Sequence, residues 1–429
     1  MNRLVFLSGK DKKKFNLAVR LSIFRYYLGF FFRGKLSPGK LVRLLRRLNY
    51  FLSAIQHNKF VNINGKTKID LYVPGYPSDA FYTASRKFME FDKTMPCTTV
   101  LISITSACRY HCPHCYQKYD KGADIDINVL KNTIKRLQDM GVAFFNIEGG
   151  DPFLVFDRLK EVCRTIDPRS EIFINATGDG MTPGKLRELK QDNIVGIMFP
   201  AHSHDKEEFN RFMGKAGAWD TMEAGIEMCR AAGIAPAFNT CLDKKAFYNG
   251  RFEKLMDLAR EKNIALVQII KVKPAGGNLK GETDSLTPEE IQHIKTKVHR
   301  YNLDPDFADY PSISAQIIEE DKSLFGCTAG GTDRFYINAK GDLQPCEFIN
   351  ISFGNIVHDD FDEIYTAMRE HFRGGGDCWI CEKHATKVNE LFAQSGKVTL
   401  PLSKEDSKKI YCNWKRGETS DFYRNVYRL

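Results

Sequence analysis

Residues 99–116 read Thr99-Val100-Leu101-Ile102-Ser103-Ile104-Thr105-Ser106-Ala107-Cys108-Arg109-Tyr110-His111-Cys112-Pro113-His114-Cys115-Tyr116. An apolar run of strand length passes directly into a loop bearing three cysteines. Five further apolar runs follow, at 143–147, 171–175, 194–199, 235–240 and 265–270. Helical stretches separate them, at 127–140, 183–190, 220–232 and 251–262 among others. Strands alternating with helices in this way predict six βα units and a parallel sheet closed or half-closed into a barrel. In such folds ligands sit at the C-terminal ends of the strands, so chemistry is sought just after each run.

The spacing of Cys108, Cys112 and Cys115 is C-x3-C-x2-C. Three thiolates on one loop can wrap a small metal centre and leave one coordination position empty. An iron–sulfur cluster usually takes four cysteines, so three point to an open iron. The alternative is zinc, with His111 or His114 completing a tetrahedral shell. The compartment inferred for the chain favours metal ligands over disulfides. The start, MNRLVFLSGKDKKKF, has too short an apolar run for a cleavable signal peptide and is followed by charge. A reducing cytoplasm is the expected setting.

The loop resembles the cluster loop of the radical S-adenosylmethionine (radical SAM) superfamily, with His114 in the variable place before Cys115. The resemblance implies a [4Fe–4S] cluster on Cys108, Cys112 and Cys115 whose open iron binds the amino and carboxylate groups of SAM. It further implies one-electron cleavage of SAM to methionine and a 5′-deoxyadenosyl radical, which abstracts hydrogen from a substrate. Later motifs fall in family order. Glu148-Gly149-Gly150-Asp151-Pro152 resembles the GGEP element at the SAM amino group, with Asp151 in place of Glu. Glycines there let the backbone approach a ligand closely. Asn175-Ala176-Thr177-Gly178 stands at the T-N-G turn. Pro200 stands where the family usually has Ser and cannot supply a hydroxyl, so Ser203 is the expected substitute. Lys273-Pro274-Ala275-Gly276-Gly277 resembles the P-x-G turn near the adenine. This resemblance spans roughly residues 97–290.

A second group comprises Cys327, Cys346, Cys378 and Cys381, the last two in Cys378-Trp379-Ile380-Cys381. Four thiolates can close a complete shell, as structural zinc or as a cluster. The arrangement resembles the twitch domain, the shortened SPASM domain of radical SAM enzymes, and implies one auxiliary [4Fe–4S] cluster that relays electrons near the substrate. Too few cysteines remain for a second auxiliary cluster, and His384 is expected as a surface residue. Among other residues weighed, Cys241 is expected as a buried inert thiol, and Lys271, Lys273, Arg211 and Lys215 as possible neighbours of the ligand without an assigned role.

Charge is concentrated at one end. The chain of 429 residues carries a net charge of +10, yet residues 1–60 hold fourteen Lys or Arg against Asp11 alone. The remainder is near neutral, so a nucleic-acid partner is not expected. Composition, at 43% hydrophobic and 27% charged, excludes a disordered chain or a disulfide-stapled scaffold. Residues 17–32, LAVRLSIFRYYLGFFF, are interrupted by Arg20 and Arg25, which excludes a spanning helix. A second helix is expected over 40–55, with Leu41, Leu44, Leu45, Leu48, Leu52 and Ile55 at helical spacing and Arg43, Arg46 and Arg47 beside them. Basic flank with apolar face fits a helix lying in a membrane interface, and equally one packed on the rest of the protein.

The expected fold is therefore α/β: a partial (β/α)6 TIM barrel at 97–310, a small C-terminal α+β auxiliary-cluster domain at 311–400 and a tail at 401–429. A basic amphipathic helical extension at 1–60 and a connector at 61–96 precede them. Gly149, Gly150, Asp151 and Ser203 are the expected SAM contacts; no catalytic side chain is assigned. The expected activity is that of a radical SAM enzyme acting on a membrane lipid, or alternatively on a ribosomally made peptide. A reduced flavodoxin- or ferredoxin-type protein is the expected electron donor, and the inner face of the membrane a peripheral location. Outside the enzyme class, a zinc-binding or electron-transfer module would use the same cysteines.

Overall fold

The six expected strands are neighbours in one parallel sheet: β4 (Thr99–Ser103), β5 (Phe144–Glu148), β6 (Glu171–Asn175), β7 (Ile194–Pro200), β8 (Ala235–Leu242) and β9 (Leu266–Lys271). The computed structural model describes residues 4–89, 97–281, 285–372, 374–376 and 379–429. Every residue of β4 and β5 is buried, as parallel strands covered on both faces require. Crossover helices α4 (Ile127–Asp139), α5 (Phe156–Thr165), α6 (Pro183–Leu189), α7 (Lys206–Met213), α8 (Ala218–Ala232) and α9 (Arg251–Glu261) link the strands. Their starts are written in the sequence: Asp126, Thr182 and Asp205 each accept a first-turn N–H. The result is the expected partial barrel.

The sheet extends beyond the six strands at both ends. After α10 (Pro288–Leu303), β10 (Ser312–Ala315) pairs parallel with β9, placing Ser312 opposite Leu266. On the other side, beyond a short α11 (Gln316–Glu319), β11 (Arg334–Ile337) pairs parallel with β4, with Arg334 opposite Thr99. Strands β12 (Asp342–Gln344) and β13 (Gly354–Asn355) continue antiparallel, giving the order β10-β9-β8-β7-β6-β5-β4-β11-β12-β13. The segment with the second cysteine group is thus joined to the barrel by backbone hydrogen bonds. It is completed by α12 (Phe361–His371), α13 (Ile380–Gln394), α14 (Lys404–Tyr411) and α15 (Asp421–Arg428).

The N-terminal region is more than a helical extension. Helices α1 (Gly9–Phe32) and α2 (Pro38–Ala54) form as expected, α1 reaching further back than its apolar run. Before them β1 (Leu4–Leu7) pairs with β2 (Phe60–Ile63), and β3 (Lys66–Lys68) completes a three-stranded antiparallel sheet. The expected connector therefore supplies two strands and α3 (Asp79–Arg86). Leu41, Leu44, Leu48 and Leu52 of α2 are buried, packing with Val19, Ile23 and Tyr27 of α1, Phe81, Phe88 and the α15 residues Phe422, Tyr423 and Val426. Each buried leucine contributes about 2 kcal/mol. The leucine face of α2, one of the faces expected to meet a membrane, is thus covered by the protein itself.

Two buried lysines tie this layer to the barrel. Lys68 Nζ lies 2.9 Å from Glu171 Oε1, whose other oxygen accepts from the Gly75 N–H. Lys59 Nζ donates to the carbonyls of Phe307 and Tyr310.

Candidate active site

Ser103 and Glu148 are register partners at the C-terminal ends of β4 and β5, so the cysteine loop and the Gly149–Gly150 turn emerge side by side. The turn grips the loop through backbone alone. Gly150 N–H donates to Thr105 O and Asp151 N–H to Ala107 O, both at 2.8 Å. A Cβ on Gly150 would meet Ala107 O at 2.1 Å and Cys108 Cβ at 2.9 Å. Two other glycine turns press on the same loop. Gly214, at φ +61°, abuts His111 O, and Gly277, whose N–H donates to Cys115 O at 2.9 Å, abuts Pro113 O. The Gly276–Gly277 turn thus packs against the cysteine loop itself, a contact the sequence pattern did not reveal.

Within the loop, Tyr110 N–H donates to Cys108 Sγ at 3.4 Å, and Cys112 Sγ lies 3.2 Å from Met213 O. Cys108 is exposed, Cys112 and Cys115 partly so. Burial, reinforced by Cys115 and Cys108, pushes the Cys112 thiol up to about 12; burial pushes Cys115 up to about 11. Burial lowers His114 to about 4, and its ring packs 4.0 Å from Phe212 and 5.2 Å from His202. Arg109 and Lys215 both pair with Asp179, at 3.4 and 2.8 Å. His202, held neutral by burial, accepts from the Cys241 N–H through Nδ1, and Cys241 itself is half-buried.

Two expected SAM contacts are committed elsewhere. The Ser203 hydroxyl donates to Glu208 Oε2 and accepts from Asp205 N–H, capping the approach to α7. The Asp151 carboxylate is fully buried and accepts from Phe153 N–H and from the N–H and hydroxyl of Thr177, binding the β5 turn to the β6 turn. Beside this turn, at the end of β5, lies the buried Glu148, which the sequence analysis treated only as the first letter of a motif. Tyr116 and the amides of Asn146 and Asn175 donate to it. Burial, then repulsion from Glu347, pushes its pKa up to about 8. The Asn175 amide oxygen is buried with no hydrogen-bond partner.

Of the second group, Cys327, Cys346 and Cys381 come together; Cys378 lies outside the described residues. Cys327 exchanges backbone hydrogen bonds with Gly376 at 2.8 and 3.1 Å, and Arg416 Nη2 donates to its carbonyl at 2.9 Å. Burial drives Cys381 up to about 12, with Lys273 opposing and Cys327 adding. Burial also drives Cys346 upward, with Glu347 adding to it and Arg334 opposing. Lys271 and Lys273 are not solvated. Both are buried and share Glu382, at 2.7 and 3.0 Å, and Lys273 Nζ stands 3.6 Å from the centre of the Trp379 ring. Glu382 follows Cys381 directly, so the C-terminal end of β9 is pinned to the auxiliary cysteines. His384 is half-buried, its ring 5.6 Å from Trp414.

Comparison with known families supports the geometry. The radical SAM superfamily model matches residues 102–244, and the model of an iron-sulfur cluster-binding domain, SPASM, matches 327–384. The chain carries a radical SAM domain. It is 23% identical to an AdoMet-dependent heme synthase of Nitratidesulfovibrio vulgaris, over 68% of this chain and 87% of that one. It is 24% identical to the subtilosin biosynthesis protein AlbA of Bacillus subtilis, over 73% and 70%, and 23% to a PqqA peptide cyclase of Gluconobacter oxydans, over 67% and 83%. In fold it resembles Streptococcus suis SuiB, at a TM-score of 0.53 and 16% identity over 67% of this chain and 69% of that one.

A radical SAM enzyme with a SPASM domain binds SAM, the [4Fe–4S] cluster that cleaves it and an auxiliary iron–sulfur cluster. The residues present fit these groups. The soft thiol donors stand on a loop fixed by backbone contacts, ready to hold a thiolate-ligated cluster. The orphaned Asn175 oxygen, beside Glu148, is an acceptor of the kind an ammonium group requires.

Proposed function

We propose that this radical SAM enzyme abstracts hydrogen from a carbon of a membrane lipid while docked on an anionic membrane surface. In this reading Cys108, Cys112 and Cys115 hold the SAM-cleaving cluster, the Gly149–Gly150 turn shapes the SAM site, and Cys327, Cys346, Cys378 and Cys381 hold the auxiliary cluster. When bound, these groups supply one-electron cleavage of SAM to methionine and a 5′-deoxyadenosyl radical, with an acceptor for the electron left on the substrate. A flavodoxin- or ferredoxin-type protein provides the reducing electron. The chain's own part is to hold the cysteine loop rigid, to keep Glu148 protonated at neutral pH and to bring the lipid within reach.

One observation carries the membrane reading. On α1 the inner face packs through Val19, Ile23 and Tyr27, while Leu17, Leu21, Phe24 and Phe32 remain 59, 48, 44 and 76% exposed. These recur at helical spacing and form an apolar stripe pointing away from the protein. Lys13, Lys14, Arg25 and Arg33 stand exposed on the same helix and at its end. An exposed apolar stripe with cations beside it fits an anionic lipid interface, where each near-surface cation adds about 1 kcal/mol. No described helix is long and apolar enough to cross a membrane.

The test combines vesicle co-sedimentation with anaerobic SAM cleavage by reconstituted protein, with and without lipid extract and with Cys108→Ala as the blank. Binding to anionic vesicles that Leu21→Asp abolishes, with 5′-deoxyadenosine rising on lipid addition, is the expected result. Cleavage indifferent to lipid, in a protein that ignores vesicles, removes the lipid reading. A second reading, a ribosomally made peptide as substrate, is favoured by the similarity to the PqqA peptide cyclase and the subtilosin biosynthesis protein. Under it, a small peptide encoded beside this gene, rather than lipid, raises 5′-deoxyadenosine.

A further inference from the structure

Between the N-terminal layer and the open side of the barrel lies a cavity of about 120 Å³. Its wall changes character across its width. On one side Ile23 of α1, Leu48, Phe51 and Leu52 of α2, and Phe81 and Phe88 present only hydrocarbon. On the other, Gln268 of β9, Ser314 of β10, Gln316 of α11 and Arg334 of β11 present polar groups, joined by Tyr72 and Glu347.

The polar side adjoins the auxiliary cysteines and reaches toward the first group through one ring contact. Gly326 and Thr328, in the wall, flank Cys327, and Glu347 follows Cys346. Phe348, also in the wall, meets the Tyr116 ring edge-on at 6.0 Å; Tyr116 follows Cys115 and donates to Glu148. Two polar atoms here lack partners: the Gln316 Oε1 and Arg334 Nε atoms are buried and make no hydrogen bond. An acceptor and a donor left orphaned beside a cavity are what a polar ligand group would satisfy. Charge narrows that group. Both cations of the wall are already engaged, Arg334 with Glu320 and Lys87 with Asp333, while Asp70, Glu319 and Glu347 add carboxylates. An anionic head would meet repulsion without a free counter-charge.

We infer that this cavity binds one amphiphile tail-outward: its apolar chain under α1 and α2, its uncharged polar head between the two cysteine groups, where Gln316 and Arg334 take its hydrogen bonds. Resting on the lipid reading above, this assigns the substrate class as a neutral-headed, long-tailed molecule and places its head end nearest the chemistry. One residue of the apolar wall, Ile23, lies on α1, whose outer stripe faces away from the protein, so the proposed exit for the tail is past α1 toward the docking surface.

Binding is measured without turnover, by equilibrium dialysis of radiolabelled dodecanol and dodecyl phosphate against anaerobically reconstituted protein. The expected result is saturable binding of dodecanol at one per chain and at least about tenfold weaker binding of dodecyl phosphate. Leu52→Trp, which fills the apolar side, is expected to weaken dodecanol by about tenfold or more; Ala84→Leu, a milder filling from α3, does the same to a smaller degree if the tryptophan disturbs folding. Leu21→Asp, on the outer face, leaves dodecanol binding unchanged while vesicle binding is lost. The unsubstituted protein separates the two readings: if it holds dodecanol yet ignores vesicles, the membrane reading fails and this one stands. Vesicle binding without saturable dodecanol binding, phosphate bound as tightly as alcohol, or indifference to both filling substitutions overturns it.

Discussion

Replacing Gly150 by alanine tests whether the cysteine loop is held in place by bare backbone. The new Cβ would stand 2.1 Å from the Ala107 carbonyl oxygen and 2.9 Å from Cys108 Cβ, against the 3.4 Å at which ordinary contact begins. The nearest obstacle is main chain, so no rotamer can yield, and the loop must retreat by more than 1 Å. That retreat breaks the Gly150–Thr105 and Asp151–Ala107 hydrogen bonds. Overpacking costs about 1–3 kcal/mol and two lost hydrogen bonds about 1 kcal/mol each, roughly 3–5 kcal/mol together. Because the displaced segment leads straight into Cys108, the cost falls on cluster assembly rather than on the barrel. Gly29→Ala is the control: nothing lies within 4 Å of its added methyl, and alanine inside α1 should stabilise by about 0.5–1 kcal/mol. Iron and sulfide per chain are measured after anaerobic reconstitution, alongside 5′-deoxyadenosine formation. Gly150→Ala is expected to retain the auxiliary cluster, lose the SAM-cleaving one and form no 5′-deoxyadenosine, with Gly29→Ala indistinguishable from the parent. Full iron content and cleavage in Gly150→Ala would refute the argument.

Lys68→Met strands the Glu171 carboxylate in the interface between the N-terminal sheet and the barrel; a broken buried pair of this kind costs about 3–5 kcal/mol. The check is a lower urea midpoint at unchanged slope. Glu148 has its pKa raised from 4.5 to about 8 by burial and Glu347, so the folded chain keeps a proton the unfolded one releases. Stability is therefore greatest below pH 4.5 as far as this group is concerned, and falls as pH rises from there to about 8, by up to about 1.4 kcal/mol per pH unit. Glu148→Gln should flatten that part of the profile in urea unfolding at stepped pH; parallel profiles for parent and variant would contradict it. Glu382→Gln removes the carboxylate that Lys271 and Lys273 share and should lower the melting temperature, at a cost of roughly 3 kcal/mol.

The barrel was legible in the sequence because its strands are continuous apolar runs separated by helical stretches, three of them opening on an Asp or Thr cap. Strands β10 and β11 were not, for a physical reason: Ser312-Ile313-Ser314-Ala315 and Arg334-Phe335-Tyr336-Ile337 carry polar side chains that belong in a cavity wall, so neither looks like a core strand. Ligand-type residues were found by spacing, since the cysteines of a loop must be close in sequence to reach one cluster. For Ser203 the sequence did not show its local partner, Glu208, five residues on, which accepts from its hydroxyl. Lys271 and Lys273 could not be read as buried, because Glu382 and Trp379 reach them from more than a hundred positions away. The N-terminal helices were half legible: their basic residues were evident, but the leucines of α2 turn inward and the exposed apolar stripe lies on α1.

The N-terminal layer is better understood as part of the site than as an appendage. A closed eight-stranded barrel is filled by its own side chains. Here seven parallel strands run from β10 to β4, and the next strand, β11, comes from the segment carrying the auxiliary cysteines. The space between these two sides is lined by Gln268 and Ser314 on one and by Thr99 and Arg334 on the other, and would open to water if nothing covered it. Helices α1, α2 and α3 cover it, held by Lys68 on Glu171, Lys59 on two carbonyls and Lys87 on Asp333. On the substrate placement proposed above, a radical on a substrate carbon would be quenched by any accessible hydrogen donor, and the layer that walls the cavity would isolate it from solvent.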